Sequence, residues 1–131
     1  MLTVAKGKLA AYPNVTFCRA RASQIPFPKE SFDLVVCSSS FHYFENPNTP
    51  LLEMKRVLKM CGRMIILDWS RDYLLCRFCD LFLKLFDATH KQCYTQRELR
   101  RFLEAVGFQT MVEKRFKANL IWGMMLAEAV K

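Results

Sequence analysis

Side chains that could do chemistry follow two short apolar runs of this sequence. They are Ser38, Ser39, Ser40, Phe41, His42 and Tyr43 after the first run, and Asp68 and Trp69 after the second. A neutral imidazole at His42 could accept a proton from an O–H or C–H group of a ligand, and the small serines would leave that ligand room. His42 could equally be a packed histidine at the start of a loop, and Asp68 could cap the following helix. His42 and Asp68 therefore each have a structural alternative.

A second group of residues has the types that bind zinc. Cys76-x-x-Cys79 is followed by His90-x-x-Cys93, which superficially resembles a four-ligand set. The first pair lies inside the apolar stretch Asp72–Phe86, where buried free cysteine is common. We therefore favour core packing for these thiols and predict no metal site. Nothing marks the chain as secreted, so we expect buried thiols, no disulfides and a cytoplasmic protein.

The two apolar runs predict the strands that must position the candidate site residues. They lie in the predicted strands Phe32–Ser38 and Arg63–Asp68. Between these strands, Thr49 is the predicted N-cap of an amphipathic helix with Pro50 at its first position, and Gly62 ends that helix. Strand, loop, helix and strand in this order predict a parallel βαβ unit, whose ligand site would lie at the carboxyl ends of its strands.

The remaining pattern predicts one α/β domain over residues 1–131. The further predicted elements are helix Leu2–Ala11, strand Val15–Arg19, helix Asp72–Phe86, a helix from the capping box of Thr95 and Glu98 to Gly107, and strands Phe108–Phe116 and Leu120–Val130. Because the helix Asp72–Phe86 is apolar almost all round, it either covers the sheet or meets something apolar besides the sheet. Both interpretations remain open.

Composition and charge narrow the classes of partner. The chain has 20 basic and 12 acidic residues, which give a net charge of +8. Nucleic-acid binding would use such a charge, but the basic residues are spread over several elements without a basic run, so we expect no nucleic-acid partner. No run approaches the roughly 18 uninterrupted apolar residues of a membrane span, so no transmembrane segment is predicted.

Four local patterns occur along the chain. They are Ile25-Pro26-Phe27-Pro28 running into Ser31-Phe32-Asp33-Leu34-Val35-Val36, then Phe41-His42-Tyr43-Phe44, Glu53 with Arg56-Val57-Leu58-Lys59, and Glu104-Ala105-Val106-Gly107-Phe108. Together they resemble class I S-adenosylmethionine-dependent methyltransferases, in particular the type 11 family that includes ubiquinone and menaquinone biosynthesis enzymes. They span nearly the whole chain in family order and at family spacing.

The resemblance implies a Rossmann-like, three-layer α/β sandwich with the sheet order 3-2-1-4-5-7-6 and strand 7 antiparallel. The strands predicted above correspond to strands 3 to 7, whereas strands 1 and 2 and the Gly-rich loop have no counterpart in this sequence. We therefore expect an incomplete sandwich and an N-terminally truncated chain. Because strands 1 and 2 stand between strands 3 and 4, the predicted strand Val15–Arg19 would have to re-pair, stay detached or borrow strands from another chain.

The resemblance also implies S-adenosyl-L-methionine as the cofactor. It places Arg21, Ala22, Ser38, Ser39 and Phe41 at the cofactor, Tyr43, Asp68 and Trp69 in the substrate pocket, and His42 as the catalytic residue. Arg21 departs from the family pattern, because a guanidinium has no acceptor for the adenine amino group. The backbone N–H of Ala22 could still serve an adenine ring nitrogen. The expected methyl acceptor is a small apolar or aromatic molecule.

The alternative to an enzyme is a non-catalytic methyltransferase remnant that acts by protein–protein pairing. Unpaired strand edges beside the missing strands would favour strand addition and self-association. Both functions remain open at the level of the sequence.

Overall fold

Four strands and four α-helices make up the part of the chain that the computed structural model describes, residues 2–86, 91–117 and 123–131. The strands are β1 (Phe32–Ser38), β2 (Leu58–Trp69), β3 (Gln109–Lys117) and β4 (Gly123–Val130). The helices are α1 (Leu2–Lys8), α2 (Asn48–Val57), α3 (Leu74–Phe86) and α4 (Gln96–Ala105), with a short 3-10 helix at Phe41–Tyr43.

The four strands form one mixed sheet in the order β1-β2-β4-β3. Strands β1 and β2 run parallel, with Val36 opposite Ile65, and β4 runs antiparallel to both β2 and β3. This order matches positions 4, 5, 7 and 6 of the sheet that the resemblance implies, with strand 7 antiparallel. The Rossmann-like but incomplete α/β sandwich is therefore confirmed.

The predicted strand Val15–Arg19 is wrong. These residues have no regular secondary structure, and the nearest pairing is an isolated bridge between Arg21 and Gln24. A strand is held by hydrogen bonds to its neighbours, and the two strands expected between this segment and β1 have no counterpart in the sequence. Of the three expected outcomes, the segment stays detached from the sheet.

Helix α2 and strand β2 follow each other without a loop. Leu58, directly after the last helical residue, already has extended dihedrals of φ −73° and ψ 136°. Gly62, which was expected to end the helix, lies inside β2, where a Cβ atom would come within 2.8 Å of the Lys59 carbonyl oxygen. Cys61 beside it has a left-handed φ of 61°. The glycine is therefore required by a close backbone approach within the strand, and β2 begins earlier than predicted.

Helices α2 and α4 cover one face of the sheet and enclose the core with it. The predicted capping box opens α4: Thr95 Oγ1 accepts the Glu98 backbone N–H, and the Glu98 carboxylate accepts the Thr95 backbone N–H. Alternate residues of the strands point towards these helices. The buried core includes Cys37, Leu51, Met54, Met64, Ile66, Leu99, Leu103, Met125, Ala127 and Ala129.

The opposite face of the sheet is less covered, most of all at β1. Leu34 and Val36 are 47% and 56% exposed, whereas Cys37, which points to the other face, is 4% exposed. The apolar sequence of β1 is typical of a strand with helices on both faces. Within the described part of the chain, only one of these two faces is packed against helices.

Candidate functional site

The carboxyl ends of β1 and β2 lie side by side, as the βαβ prediction requires. The Ser39 backbone N–H donates to the Leu67 carbonyl oxygen at 2.8 Å. Ser39 then takes a left-handed φ of 47°, which turns the chain out of β1 towards the 3-10 helix. The Ser40 hydroxyl lies 3.2 Å from the Ser38 carbonyl oxygen and 3.4 Å from Cys37 Sγ. The serines therefore form the turn at the end of β1.

Asp68 joins the two strand ends through its carboxylate, which is 1% exposed. Its Oδ2 accepts the backbone N–H groups of Phe41 at 2.6 Å and of His42 at 3.2 Å. Its Oδ1 accepts the Trp69 backbone N–H at 2.7 Å and lies 2.7 Å from His42 Nδ1. Asp68 thus satisfies the first N–H groups of the 3-10 helix after β1, and not those of the helix that follows β2.

His42 is held on several sides and is 3% exposed. Its ring stacks on the Trp69 ring with a centroid distance of 4.7 Å and an interplanar angle of 7°, and its centroid lies 4.1 Å from that of Tyr43. The geometry therefore fixes the orientation of the imidazole.

Arg21 and Ala22 share a surface cleft with Tyr43. The cleft has a volume of about 440 Å³, and its other lining residues are Ser23, Phe44, Glu45, Asn46, Thr49 and Pro50. Arg21 is exposed, and its carbonyl oxygen accepts the Gln24 backbone N–H at 3.0 Å. Ala22 is half-buried and packs against the core. The structure thus brings two predicted cofactor residues next to one predicted substrate residue, although they are distant in sequence.

An ion pair within α2 holds the loop before β1 through hydrogen bonds to its backbone, and so supports one side of this region. Arg56 donates to the carbonyl oxygens of Ile25 and Phe27 and to the Glu53 carboxylate, which also accepts the Ile25 backbone N–H at 2.9 Å. The Arg56 guanidinium lowers the pKa of the Glu53 carboxyl to about 2. These two residues carry part of the family resemblance, and their structural role is to hold this loop.

The cysteines of the zinc-like pattern pack into the protein. Cys76 is 1% exposed, and its Sγ lies 3.3 Å from the Gly123 backbone nitrogen. Cys93 is 2% exposed, and burial raises the pKa of its thiol. His90 lies outside the described residues. Across residues 2–86, 91–117 and 123–131, no cluster of three or more histidine, cysteine or acidic side chains could hold a metal ion.

Tyr94 is a buried residue of this region that the sequence interpretation missed. Its hydroxyl donates to the Phe44 carbonyl oxygen at 3.0 Å, and its ring meets the Phe41 ring edge-on with centroids 5.3 Å apart. Tyr94 therefore supports the 3-10 helix from the core side. The available signal was its place directly before the capping residue Thr95, where an apolar side chain often packs against the first turns of the helix.

In the described ranges, no helix combines the length and the hydropathy that crossing a bilayer requires.

Comparisons with known proteins place this geometry among methyltransferases. Residues 1–66 match the family described as "Methyltransferase domain". The chain is 37% identical to a demethylmenaquinone methyltransferase of Clavibacter sepedonicus over 92% of its length and 58% of that protein. It is 33% identical to a ubiquinone/menaquinone biosynthesis C-methyltransferase of Vibrio campbellii over 67% of its length and 33% of that protein. The chain thus spans between about a third and three fifths of these relatives.

Solved structures share the fold at lower identity. The S-adenosylmethionine-dependent methyltransferase of Mesorhizobium loti superposes with a TM-score of 0.76 at 18% identity, over 98% of this chain and 75% of that one. The structure of the [4+2]-cyclase SpnF superposes with a TM-score of 0.75 at 14% identity, over 98% of this chain and 60% of that one. Because proteins named for different reactions share the fold, these likenesses support the architecture alone.

Proposed function

Because this chain belongs to the methyltransferase domain family, we propose that it forms the acceptor side of an S-adenosylmethionine-dependent methyl-transfer site. The observation that carries this proposal is the link that Asp68 makes between the carboxyl ends of β1 and β2. In open α/β sheets this edge is where ligands bind. At that edge the His42 ring is stacked on Trp69 and tilted against Tyr43.

The residues present fit one part of the cofactor. The cleft beside Ala22 and Tyr43 has a backbone N–H and an aromatic side chain for an adenine ring, and the serines after β1 are small. Arg21 offers no acceptor to the adenine amino group. None of the four glycines lies in a Gly-rich loop, so the sequence has no counterpart of the loop and the two strands that the resemblance implies beside the cofactor. We therefore expect weak cofactor binding by this chain.

S-adenosyl-L-methionine, when bound, supplies the methyl group. The role of the chain's own residues is to position the methyl acceptor. Methyl transfer depends mainly on the alignment of the nucleophile with the methyl group. Asp68 fixes the orientation of the His42 ring, and His42 is the proposed proton acceptor for the O–H or C–H group that is methylated. The stacked rings favour a small apolar or aromatic acceptor, and the relatives named for menaquinone or ubiquinone biosynthesis support that class.

Isothermal titration calorimetry with S-adenosyl-L-methionine tests this function. We expect micromolar binding by the wild-type chain and about five- to tenfold weaker binding by Tyr43→Ala, since one aromatic contact contributes about 1 kcal/mol. Tyr12→Ala is the matched control, because Tyr12 is 57% exposed and does not line the cleft. A folded wild-type chain that releases no heat would overturn the proposal, as would equal weakening by the two variants.

A second candidate function, self-association by strand pairing, is favoured by the open edge of β1. Within the described residues β1 pairs with β2 alone, and its Val36 is 56% exposed. An exposed apolar edge strand is a template for another strand. We expect concentration-dependent dimers in size-exclusion chromatography with light scattering, and monomers for Val36→Lys. Leu52→Lys, at an exposed position of α2, should leave the dimers intact, and monomers of the wild type at all concentrations would exclude this function.

A further inference from the structure

Helix α3 turns its apolar side chains away from the protein, whereas an ordinary surface helix turns them towards the core. The side chains that face the protein are Cys76 and Asp80, which are 1% and 4% exposed. The large apolar side chains face outward, except for the half-buried Leu83. Those that face outward are Leu74, Leu75, Phe78, Leu81, Phe82, Leu85 and Phe86, and their exposed fractions range from 44% to 73%. A surface helix normally directs its apolar stripe to the core, so burial in the chain's own core does not explain this sequence.

Specific contacts hold α3 in this orientation. Asp80 Oδ1 accepts the Cys93 backbone N–H at 2.6 Å, and Cys76 Sγ lies against the Gly123 backbone. Tyr73, just before the helix, packs so closely on Gly123 that the position has no room for a Cβ atom. Rotation of the helix to bury its leucines and phenylalanines would break these contacts. The outward apolar surface is therefore a property of the folded chain.

The positive charges of the chain favour an anionic partner for this surface. Arg77 is exposed on α3 beside the apolar face, and the acidic residue of the helix, Asp80, points inward. The chain as a whole carries a net charge of +8. An anionic lipid surface attracts a chain of this charge. A helix with an outward stripe of Phe and Leu and a basic neighbour is typical of one that lies in a membrane interface.

We propose that the outer face of α3 docks on an anionic phospholipid bilayer. With 13 residues the helix is about 20 Å long, which is shorter than the roughly 30 Å hydrocarbon core, so it would lie in the plane of the interface. Phe78, Phe82 and Leu85 enter the acyl-chain boundary while the sheet stays in water. This proposal does not depend on methyl transfer, although a surface of this kind would place the chain where apolar acceptors collect.

Vesicle co-sedimentation of the whole chain tests the docking. We expect wild-type protein to sediment with vesicles of phosphatidylcholine and phosphatidylglycerol in equal parts, less with phosphatidylcholine alone, and less at high salt. The double variant Phe82→Ser with Leu85→Ser should reduce partitioning at least about tenfold, because each side chain loses apolar burial in the interface. Arg77→Glu should weaken binding to the anionic vesicles and leave binding to the neutral ones unchanged.

Leu52→Ser is the matched control, because Leu52 is a 54% exposed leucine on α2. The variant makes the same leucine-to-serine substitution away from α3. Circular dichroism melts should be the same for all variants, since the changed side chains are exposed. Failure of the wild type to sediment with anionic vesicles overturns the proposal, as does an equal loss in Leu52→Ser. A wild-type dimer that the α3 double variant dissociates, without vesicle binding, would instead assign this face to a second copy of the chain.

Discussion

Helices α3 and α4 are both amphipathic, yet they present opposite faces to the rest of the molecule. Helix α4 buries Leu99 and Leu103 completely and leaves its arginines on the outer side. Helix α3 buries Cys76 and Asp80 and leaves its phenylalanines outside. The hydrophobic effect determines the orientation of α4, whereas polar and backbone contacts determine that of α3. A hydrophobic pattern therefore predicts that a helix forms. It does not predict whether the apolar face of that helix packs on the chain's own core or faces outward.

The largest expected difference between the two helices concerns their leucines. Leu103→Ala in α4 should lower the free energy of unfolding by about 2–5 kcal/mol, because it leaves a cavity in the core. Leu85→Ala in α3 should change it by less than about 0.5 kcal/mol, since that side chain is already 73% exposed. Urea denaturation followed by circular dichroism measures both values. A similar loss in the two variants would show that α3 packs by its apolar face after all.

The next effect concerns the contact that holds α3. Asp80→Ala should cost about 1–3 kcal/mol of unfolding free energy, because it leaves the buried Cys93 backbone N–H without its acceptor. Hydrogen exchange should accelerate at Cys93 and in α3, and not in α4. Asp80→Asn keeps an oxygen acceptor and is the control with the smaller effect. If exchange in α3 is unchanged in Asp80→Ala, other contacts determine its orientation.

A smaller effect is expected at the start of α4. Thr95→Ala removes the capping oxygen that Glu98 uses and should cost about 1 kcal/mol. Thr49→Ala is the matched control, because the sequence predicts a cap there, whereas α2 begins at Asn48 and Pro47 occupies the capping position. Thermal unfolding should separate the two variants. Equal losses of thermal stability in the two variants would show that Thr49 caps α2.

The smallest effect concerns the salt bridge by which α2 holds the loop at Ile25. The pKa of Glu53 is lowered to about 2 by Arg56, so its ionised form stabilises the folded chain above its ordinary pKa near 4.5. This contribution is lost as the pH falls through the window from about 4.5 to 2. Acid titration of the unfolding midpoint should therefore show a steeper decline in wild type than in Glu53→Gln. Parallel curves for the two proteins would argue against the linkage.

Local sequence signals predicted the elements whose stabilising contacts are near in sequence or fully apolar. Strand Phe32–Ser38 has the predicted bounds, and the capping box of Thr95 and Glu98 opens α4 as expected. The strand Val15–Arg19 failed for the opposite reason, because its pattern is apolar enough but its partner strands have no counterpart. Gly62 misled because a glycine required by a close backbone approach looks like one that ends a helix.

The sequence predicted which residues gather at the candidate site, but not the hydrogen bonds that they make there. The sequence placed His42, Asp68 and Trp69 at neighbouring strand ends, since parallel strands end at one edge of a sheet. It offered Asp68 as a cap of the next helix, whereas the carboxylate accepts the backbone N–H groups of Phe41 and His42. That contact spans about 27 residues of chain, which no local pattern encodes.

The sequence by itself determined the family, the order of strands and helices, and the residues that gather at the ends of β1 and β2, because these depend on local pattern and chain order. Only the tertiary structure decided which face of each helix is buried, that Val15–Arg19 stays off the sheet, and that Tyr94 supports the 3-10 helix. Those outcomes depend on hydrogen bonds and packing between residues far apart in the chain. In α3 such contacts, at Asp80 and Cys76, prevail over the apolar pattern and turn the phenylalanines outward.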